Sequence, residues 1–430
     1  MSESGIALPG LGVVEHEFRV PLVHGAPERG ELSLFAREIV ARGGAVEDRP
    51  WLVFLQGGPG FESPRPPSRG GWIGRAVAEY RVLLLDQRGT GRSSRACTQS
   101  LARFDSPGDQ AEYLTHFRAD SIVRDAELLR RELLGGDGRW SVLGQSFGGF
   151  CAVHYLSTFP ESLREVYITG GLPSLSRPAE DVYRATYPRV LERNRRYYER
   201  YPADVDRVRR ILEHLEARDV HLPGGGSLTP RRFQQLGLVF GQSDGFEQVH
   251  YLVEDAFVCA PEGAELSYAF LSGVERAQPF DANPLYALLH EACYAQEAAP
   301  AWAAERVRSE HPEFDAAAGG RLFFTGEMVY PWMFAEYEQL RPLGEAAHLL
   351  AERTDWPRLY DPERLAKNEV PCVAVIYDDD MYVERSFSLE AARAIGGLRA
   401  WITNEYEHNG LRVDGELILG RMIEMMRGER

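Results

Sequence analysis

Lysine is almost missing from this chain: of 48 basic residues only Lys367 is not arginine. The bias fits a GC-rich coding sequence better than any demand of a fold, and it carries no function. Cysteine is scarce as well. Cys97, Cys151, Cys259, Cys293 and Cys372 are odd in number, widely spaced and without a CxxC pair, which argues against a disulfide framework or a zinc site and for reduced, buried thiols. No stretch of about 18 residues is apolar throughout and free of charge, and Met1–Gly10 lacks a basic segment leading into an apolar one. Neither membrane spanning nor secretion is expected; the expected location is the cytoplasm. Positive charge is in deficit, with 64 Asp and Glu against 48 Lys and Arg and a formal charge of −16. Such a field repels a polyanion, so nucleic acid is not an expected partner. Internal repeats and low-complexity tails are absent too.

What is present is enough apolar material for a large core. The 430 residues are 44% hydrophobic and 26% charged, which allows two or three domains or one large core carrying an insertion. Glu17 to Pro21 and Glu31 to Val40 read as an opening hairpin or meander. Pro50 to Gln56 and Arg81 to Asp86 are continuous apolar runs of the length of buried parallel strands. Between Ala119 and Leu134 the residues Ile122, Val123, Ala126, Leu129, Leu133 and Leu134 recur at helical spacing, and Gly135 and Gly136 stop the segment. A strand at Trp140 to Leu143, a helix at Phe147 to Phe159 and a strand at Glu165 to Thr169 complete a β–α–β–α–β succession, which predicts a parallel sheet covered by helices. From Pro173 the pattern turns helical, with Arg177 to Leu215 broken by a Gly-rich turn at Leu222 to Ser227. No strong strand run returns until Arg321 to Phe324. Pro371 to Tyr377 then reads as a buried strand, Leu389 to Ile395 as a helix and Leu398 to Thr403 as a strand. The sheet resumes after a helical insertion.

Chemistry enters at Gly144-Gln145-Ser146-Phe147-Gly148, a GxSxG pattern between a strand and a helix. A sharp strand-to-helix turn needs small residues beside the serine, and it would project the Ser146 hydroxyl from the sheet edge. The pattern is short; its strand-before, helix-after setting is what gives it weight. Gln56-Gly57-Gly58-Pro59-Gly60 follows the strand at Trp51 to Leu55, and its glycines let main-chain N–H groups face a cavity and hold a negative oxygen. Asp86-Gln87-Arg88-Gly89-Thr90-Gly91-Arg92-Ser93 follows the other strand, as a turn that braces the Gly57 loop. A serine nucleophile needs a base, and with the chain order Ser, acid, His only His408 of the eleven histidines lies beyond Tyr377. For the acid, Asp378, Asp379 and Asp380 are adjacent, and only one can face the imidazole.

The set QGGPG, DQRGTGRS and GQSFGG, with DDDMYV and NEYEHNG near the C-terminus, resembles the proline iminopeptidases (prolyl aminopeptidases) of the larger type, along nearly the whole chain. The resemblance implies an α/β-hydrolase core with a mostly parallel sheet, residues 1–172 and 346–430, and a large helical cap, 173–345, inserted between core strands. It selects Asp380, before Met381, as the acid and gives the Gly57–Gly58 loop a share of the oxyanion hole. Many relatives carry His where this chain has Gln56, a departure that removes no main-chain donor. The implied reaction is release of an N-terminal proline from peptides: Ser146 attacks, His408 is the base, Asp380 fixes its tautomer, and the N–H groups of Phe147 and Gly58 hold the oxyanion. No metal and no cofactor is implied. A cationic secondary amine enclosed under a cap needs carboxylates to offset its lost hydration. Resemblance to the family's amine-reading pair favours Glu254 and Glu291, with Glu327 next, beside Tyr330, Trp332 and Phe334. The alternative is an esterase or amidase of the same fold acting on small uncharged substrates.

Overall fold

The computed structural model describes residues 6–43, 48–315 and 321–429; residues 1–5 of the segment read above for a targeting signal lie outside them. The apolar runs form one sheet of nine strands: β1 (Ile6–Leu8), β2 (Leu11–Pro21), β3 (Glu31–Ala41), β4 (Trp51–Leu55), β5 (Arg81–Asp86), β6 (Trp140–Gln145) and β7 (Leu163–Thr169) from the first part of the chain, with two strands from its end. Between them lies one exposed antiparallel hairpin, β8 (Phe257–Ala260) and β9 (Gly263–Leu266); β10 (Cys372–Tyr377) and β11 (Leu398–Thr403) then complete the sheet. The order is β1-β2-β3-β5-β4-β6-β7-β10-β11, antiparallel from β1 to β5 and parallel from β5 to β11.

The central strands are buried from end to end because both faces of the sheet are covered. Their side chains alternate between two cores. Val53, Leu55, Leu83, Leu85, Val142, Ala374 and Ile376 enter one, which extends into the inserted helices. Leu52, Phe54, Val82, Leu84, Leu143, Val373 and Val375 enter the other, against helices Gly71–Ala76 and Gly415–Arg427. The helix Ala119–Leu134 buries Ile122, Val123, Ala126 and Leu129 as its spacing requires, and ends at Gly135, whose φ of 78° suits a residue without Cβ.

The strands β7 and β10 are neighbours in the sheet although about 200 residues separate them, and that interval is mainly helical. Its longest members are Ala179–Arg200 and Asp204–Ala217. The expected turn at Leu222 to Ser227 is present, closed by Leu222 N–H on the Gly226 carbonyl. The helix Gly344–Glu352 runs across the junction expected at 345/346. Arg118, fully buried, ties this segment to the sheet by donating to the carbonyls of Ala295 at 2.6 Å and Pro357 at 2.7 Å. Closer to the sheet's C-terminal edge, the His408 N–H donates to the Gly241 carbonyl at 3.1 Å, and a Cβ at Gly241 would overlap the Tyr382 ring.

One expectation is corrected: Arg321 to Phe324 is not a strand. Leu322 and Phe324 are buried and Phe323 half-buried, but side chains take the place of a partner strand. The Asn194 amide both accepts from the Phe324 N–H (2.7 Å) and donates to its carbonyl (2.8 Å), Gln234 donates to Phe323 O at 3.0 Å, and the Tyr198 hydroxyl donates to Leu322 O at 2.7 Å. Conversely, the short and largely exposed hairpin β8–β9, with the apolar run Phe257–Ala260 as its first strand, stands in an interval whose pattern reads as helical.

Asn194→Ala should therefore strand a buried N–H and a buried carbonyl at Phe324, at a cost of about 1–3 kcal/mol for each. We expect a clearly lower melting temperature in a thermal scan, whereas Glu192→Ala, on the exposed side of the same helix, should leave it nearly unchanged. Equal melting temperatures for both variants would refute this account of the segment.

Candidate active site

Strand β6 runs directly into the helix Phe147–Thr158, and Ser146 stands between them with φ 56° and ψ −126°. A positive φ is costly for a residue with a Cβ, and holding it demands close packing on every side. Glycine supplies the room. A Cβ at Gly144 would overlap the Gly148 carbonyl, and one at Gly148 would overlap the Leu55 carbonyl at the end of β4. The Ser146 N–H is anchored on the Thr169 carbonyl at 3.0 Å. Phe147, as the first residue of its helix, has an N–H for which the helix itself provides no acceptor.

Two loops beyond β10 and β11 bring the remaining groups to this serine. His408 Nε2 lies 2.8 Å from Ser146 Oγ, and His408 Nδ1 lies 2.6 Å from Asp380 Oδ2. The other oxygen of Asp380 accepts from the N–H groups of Tyr382 (2.8 Å) and Val383 (3.1 Å). With both carboxylate oxygens engaged as acceptors, Nδ1 is the protonated nitrogen and Nε2 the one free to take a proton from the serine. The neighbouring carboxylates are occupied elsewhere: Asp378 pairs with Arg385, and Asp379 with Arg196 at 2.8 Å. Burial works to lower the His408 pKa, but the charge of Asp380 and its hydrogen bond outweigh burial and leave it raised.

Ser146 and His408 open onto a cavity of about 260 Å³. Gly57 lies against the nucleophile, since a Cβ there would stand 2.8 Å from that of Ser146, and Gly58 and Gln56 also line the space. The loop is held by Gln87, whose side-chain amide donates to the Gln56 carbonyl at 3.1 Å. Asp86 accepts from the N–H groups of Ser63 (3.1 Å) and Arg92 (3.0 Å). Arg88 leaves that turn and forms a buried two-point pair with Asp125, at 2.6 and 2.5 Å.

The three cap glutamates part company. Glu327 lines the cavity, accepting a short hydrogen bond from the Tyr286 hydroxyl, and burial pushes its pKa up to about 7 against the opposing influence of His408. Glu254 is corrected: it is exposed at the end of its helix, pairs with Arg207 at 3.3 Å and does not line the cavity. Glu291 is corrected as well. It is buried outside the cavity, where its carboxylate accepts from the N–H groups of Ala303 (3.0 Å) and Ala304 (2.9 Å) and so serves the first turn of the helix Ala303–Arg308. Burial raises its pKa to about 7. Phe61, Tyr286, Tyr382 and Arg412 are among the further residues that line the cavity, and no motif would have singled them out. Tyr330 and Phe334, beside Glu327 in sequence, pack into the core, and neither they nor Trp332 line the cavity. Among the described residues no group of three or more His, Cys, Asp or Glu is placed to hold a metal.

A family model for the α/β hydrolase fold matches residues 50–220. A proline iminopeptidase of Aeromonas sobria is 53% identical over 98% of this chain and 98% of its own length. One from Aspergillus aculeatus is 37% identical over 96% of this chain and 93% of its own. A proline iminopeptidase of Neisseria meningitidis is 32% identical over 31% of this chain and 35% of its own.

The pairings of the three adjacent aspartates generate a test. Phosphonylation of Ser146 by a fluorophosphonate should be abolished in Ser146→Ala and slowed by two orders of magnitude or more in Asp380→Asn, because the imidazole then loses its correct tautomer. Asp378→Asn and Asp379→Asn should react at close to the native rate, measured by mass spectrometry over time; a slow Asp379→Asn would place the acid one residue earlier.

Proposed function

The chain belongs to the proline iminopeptidase family, and from that membership we propose that it is a serine exopeptidase that releases an N-terminal proline from peptides through Ser146, His408 and Asp380. His408 Nε2 removes the Ser146 proton as Oγ attacks the prolyl carbonyl, and Asp380 steadies the imidazolium that results. The N–H groups of Phe147 and Gly58 receive the negative oxygen. Collapse passes the proton from His408 to the leaving peptide amine. Water, deprotonated by the same imidazole, then frees proline and restores Ser146. Residues 173–345 act as the cap over this site, and the expected setting is the cytoplasm.

The observation that carries the reading is Glu327, the one carboxylate among the described residues that line the cavity, which accepts a hydrogen bond from a neutral tyrosine. An enclosed carboxylate that forms no ion pair among the described residues is suited to the secondary ammonium of a proline N-terminus. Phe61, Tyr286 and Tyr382 supply apolar surface for the pyrrolidine ring. We therefore assign amine recognition to Glu327.

Glu327→Gln keeps the shape of the side chain but loses charge-assisted hydrogen bonding worth about 1.5–3 kcal/mol. A fall of roughly 10- to 150-fold in kcat/KM on a proline arylamide is expected, with a much smaller loss on an aryl ester that has no ammonium. N-acetylproline arylamide should be refused by the native enzyme. Efficient cleavage of it would instead favour the esterase or amidase reading.

The pH dependence has a defined sign. His408 must be neutral to act, and its pKa is raised; Glu327 must be ionised, with a pKa of about 7. Both requirements fail as pH falls, so kcat/KM should drop through the neutral range more steeply than one ionisation allows. In Glu327→Gln the drop should be shallower and lie at lower pH, since the variant has lost both the second ionisation and a charge that raises the His408 pKa. An unchanged profile would count against Glu327 as the second group.

A further inference from the structure

The residues lining the cavity differ in depth. Ser146 and His408 are buried, whereas Gln248, Arg276 and Arg412 are exposed and mark its mouth. Arginines on the elements around the site are neutralised by acids: Arg385 by Asp378, Arg196 by Asp379 and Arg193 by Glu407. Arg276 and Arg412 have no ion pair among the described residues. Arg276 donates to Ser272 Oγ at 2.7 Å, and Arg412 reaches Gln145 Oε1 only at 3.5 Å, the outer limit of a hydrogen bond. Two guanidinium groups with donors to spare thus face the opening of a cavity in a molecule of net charge −16.

We propose that Arg412, supported by Arg276, forms a subsite for the free C-terminal carboxylate of a short prolyl peptide. The proposal rests on the aminopeptidase reading above and adds to it a determinant for di- and tripeptides that end in a free carboxylate. Gln145, which Arg412 approaches, adjoins Ser146 in sequence, and the modest space at Gly57 brings the two together: a Cβ there would lie 2.8 Å from Ser146 Cβ and 3.1 Å from Gln145 Oε1. Arg412 therefore stands one side chain away from the nucleophile. Successive Cα atoms are about 3.8 Å apart, so a carboxylate one or two residues beyond the cleaved bond comes within reach of its head. The planar fork of a guanidinium matches a carboxylate in two-point geometry. A short prolyl peptide is a zwitterion, and the cavity is charged in the same sense, with Glu327 within for the ammonium and arginine at the mouth for the carboxylate. A C-terminal amide keeps the length of the peptide and removes the charge that this arrangement reads.

The test compares kcat/KM for Pro-Gly and Pro-Gly amide, by release of proline, in the native protein, Arg412→Gln, Arg412→Lys and Arg276→Gln. The native protein should prefer the free acid by about tenfold at low salt, a preference that shrinks as salt screens the exposed groups. Arg412→Gln should bring the ratio close to one, chiefly through KM for the acid; Arg412→Lys should retain part of it and Arg276→Gln should lower it less. Equal use of acid and amide by the native protein, or an equal loss on both in Arg412→Gln, would overturn the subsite while leaving the aminopeptidase reading intact. Release of proline from neither peptide would overturn the subsite alone if a proline arylamide is still cleaved, and the aminopeptidase reading as well if it is not.

Discussion

The site depends on one backbone conformation. Ser146 holds a φ of 56°, which side chains avoid, at a point where β6, the helix that follows it and the end of β4 meet at main-chain contact. Such strain costs on the order of 1–3 kcal/mol and persists only where the surroundings fix it. The hydrogen bond from Ser146 to Thr169, the closeness of Gly148 to Leu55 and the packing of Gly57 on Ser146 are the surroundings here. The first comes from the end of β7, the other two from the end of β4 and the loop that follows it. The parallel order β4-β6-β7-β10 is what brings those strand ends, and the loop after β10, to one edge.

Much of this was legible in the sequence because its physical signal is local. A buried parallel strand is a continuous apolar run, and β4 and β5 announced themselves that way. GxSxG between a strand and a helix specified the turn at Ser146, and chain order singled out His408, whose Nε2 lies 2.8 Å from Ser146 Oγ. Asp380 could not be separated from Asp378 and Asp379 by residue type alone; only the geometry shows the first two paired with Arg385 and Arg196. The cap glutamates failed for a related reason. Whether a glutamate faces a cavity, a helix end or solvent is decided by tertiary packing, so Glu291 serves the amides of Ala303 and Ala304 while Glu327 meets Tyr286. The segment Arg321 to Phe324 shows a further limit: strand-like composition was satisfied by the side chains of Asn194, Gln234 and Tyr198, which no local pattern reveals.

Electrostatics divide the interior by how each charge is answered. Arg88 and Asp125 answer each other in full, as a buried pair must if it is not to cost stability. Asp380 is answered by two main-chain N–H groups and an imidazole. Glu327 is answered by the nearby His408 imidazole and one hydroxyl, and burial outweighs both and leaves its pKa raised. A group left in this state within a cavity favours an incoming cation over water, so the same incompleteness that weakens the empty site selects what enters it.

The bond from the His408 N–H to the Gly241 carbonyl, and the close seating of Gly241 on Tyr382, join the inserted segment directly to the two loops that carry the imidazole and its aspartate. Any displacement of that segment would act on the same backbone that sets the imidazole against Asp380, so the seating of residues around Gly241 and the alignment of the proton-transfer groups form one mechanical unit.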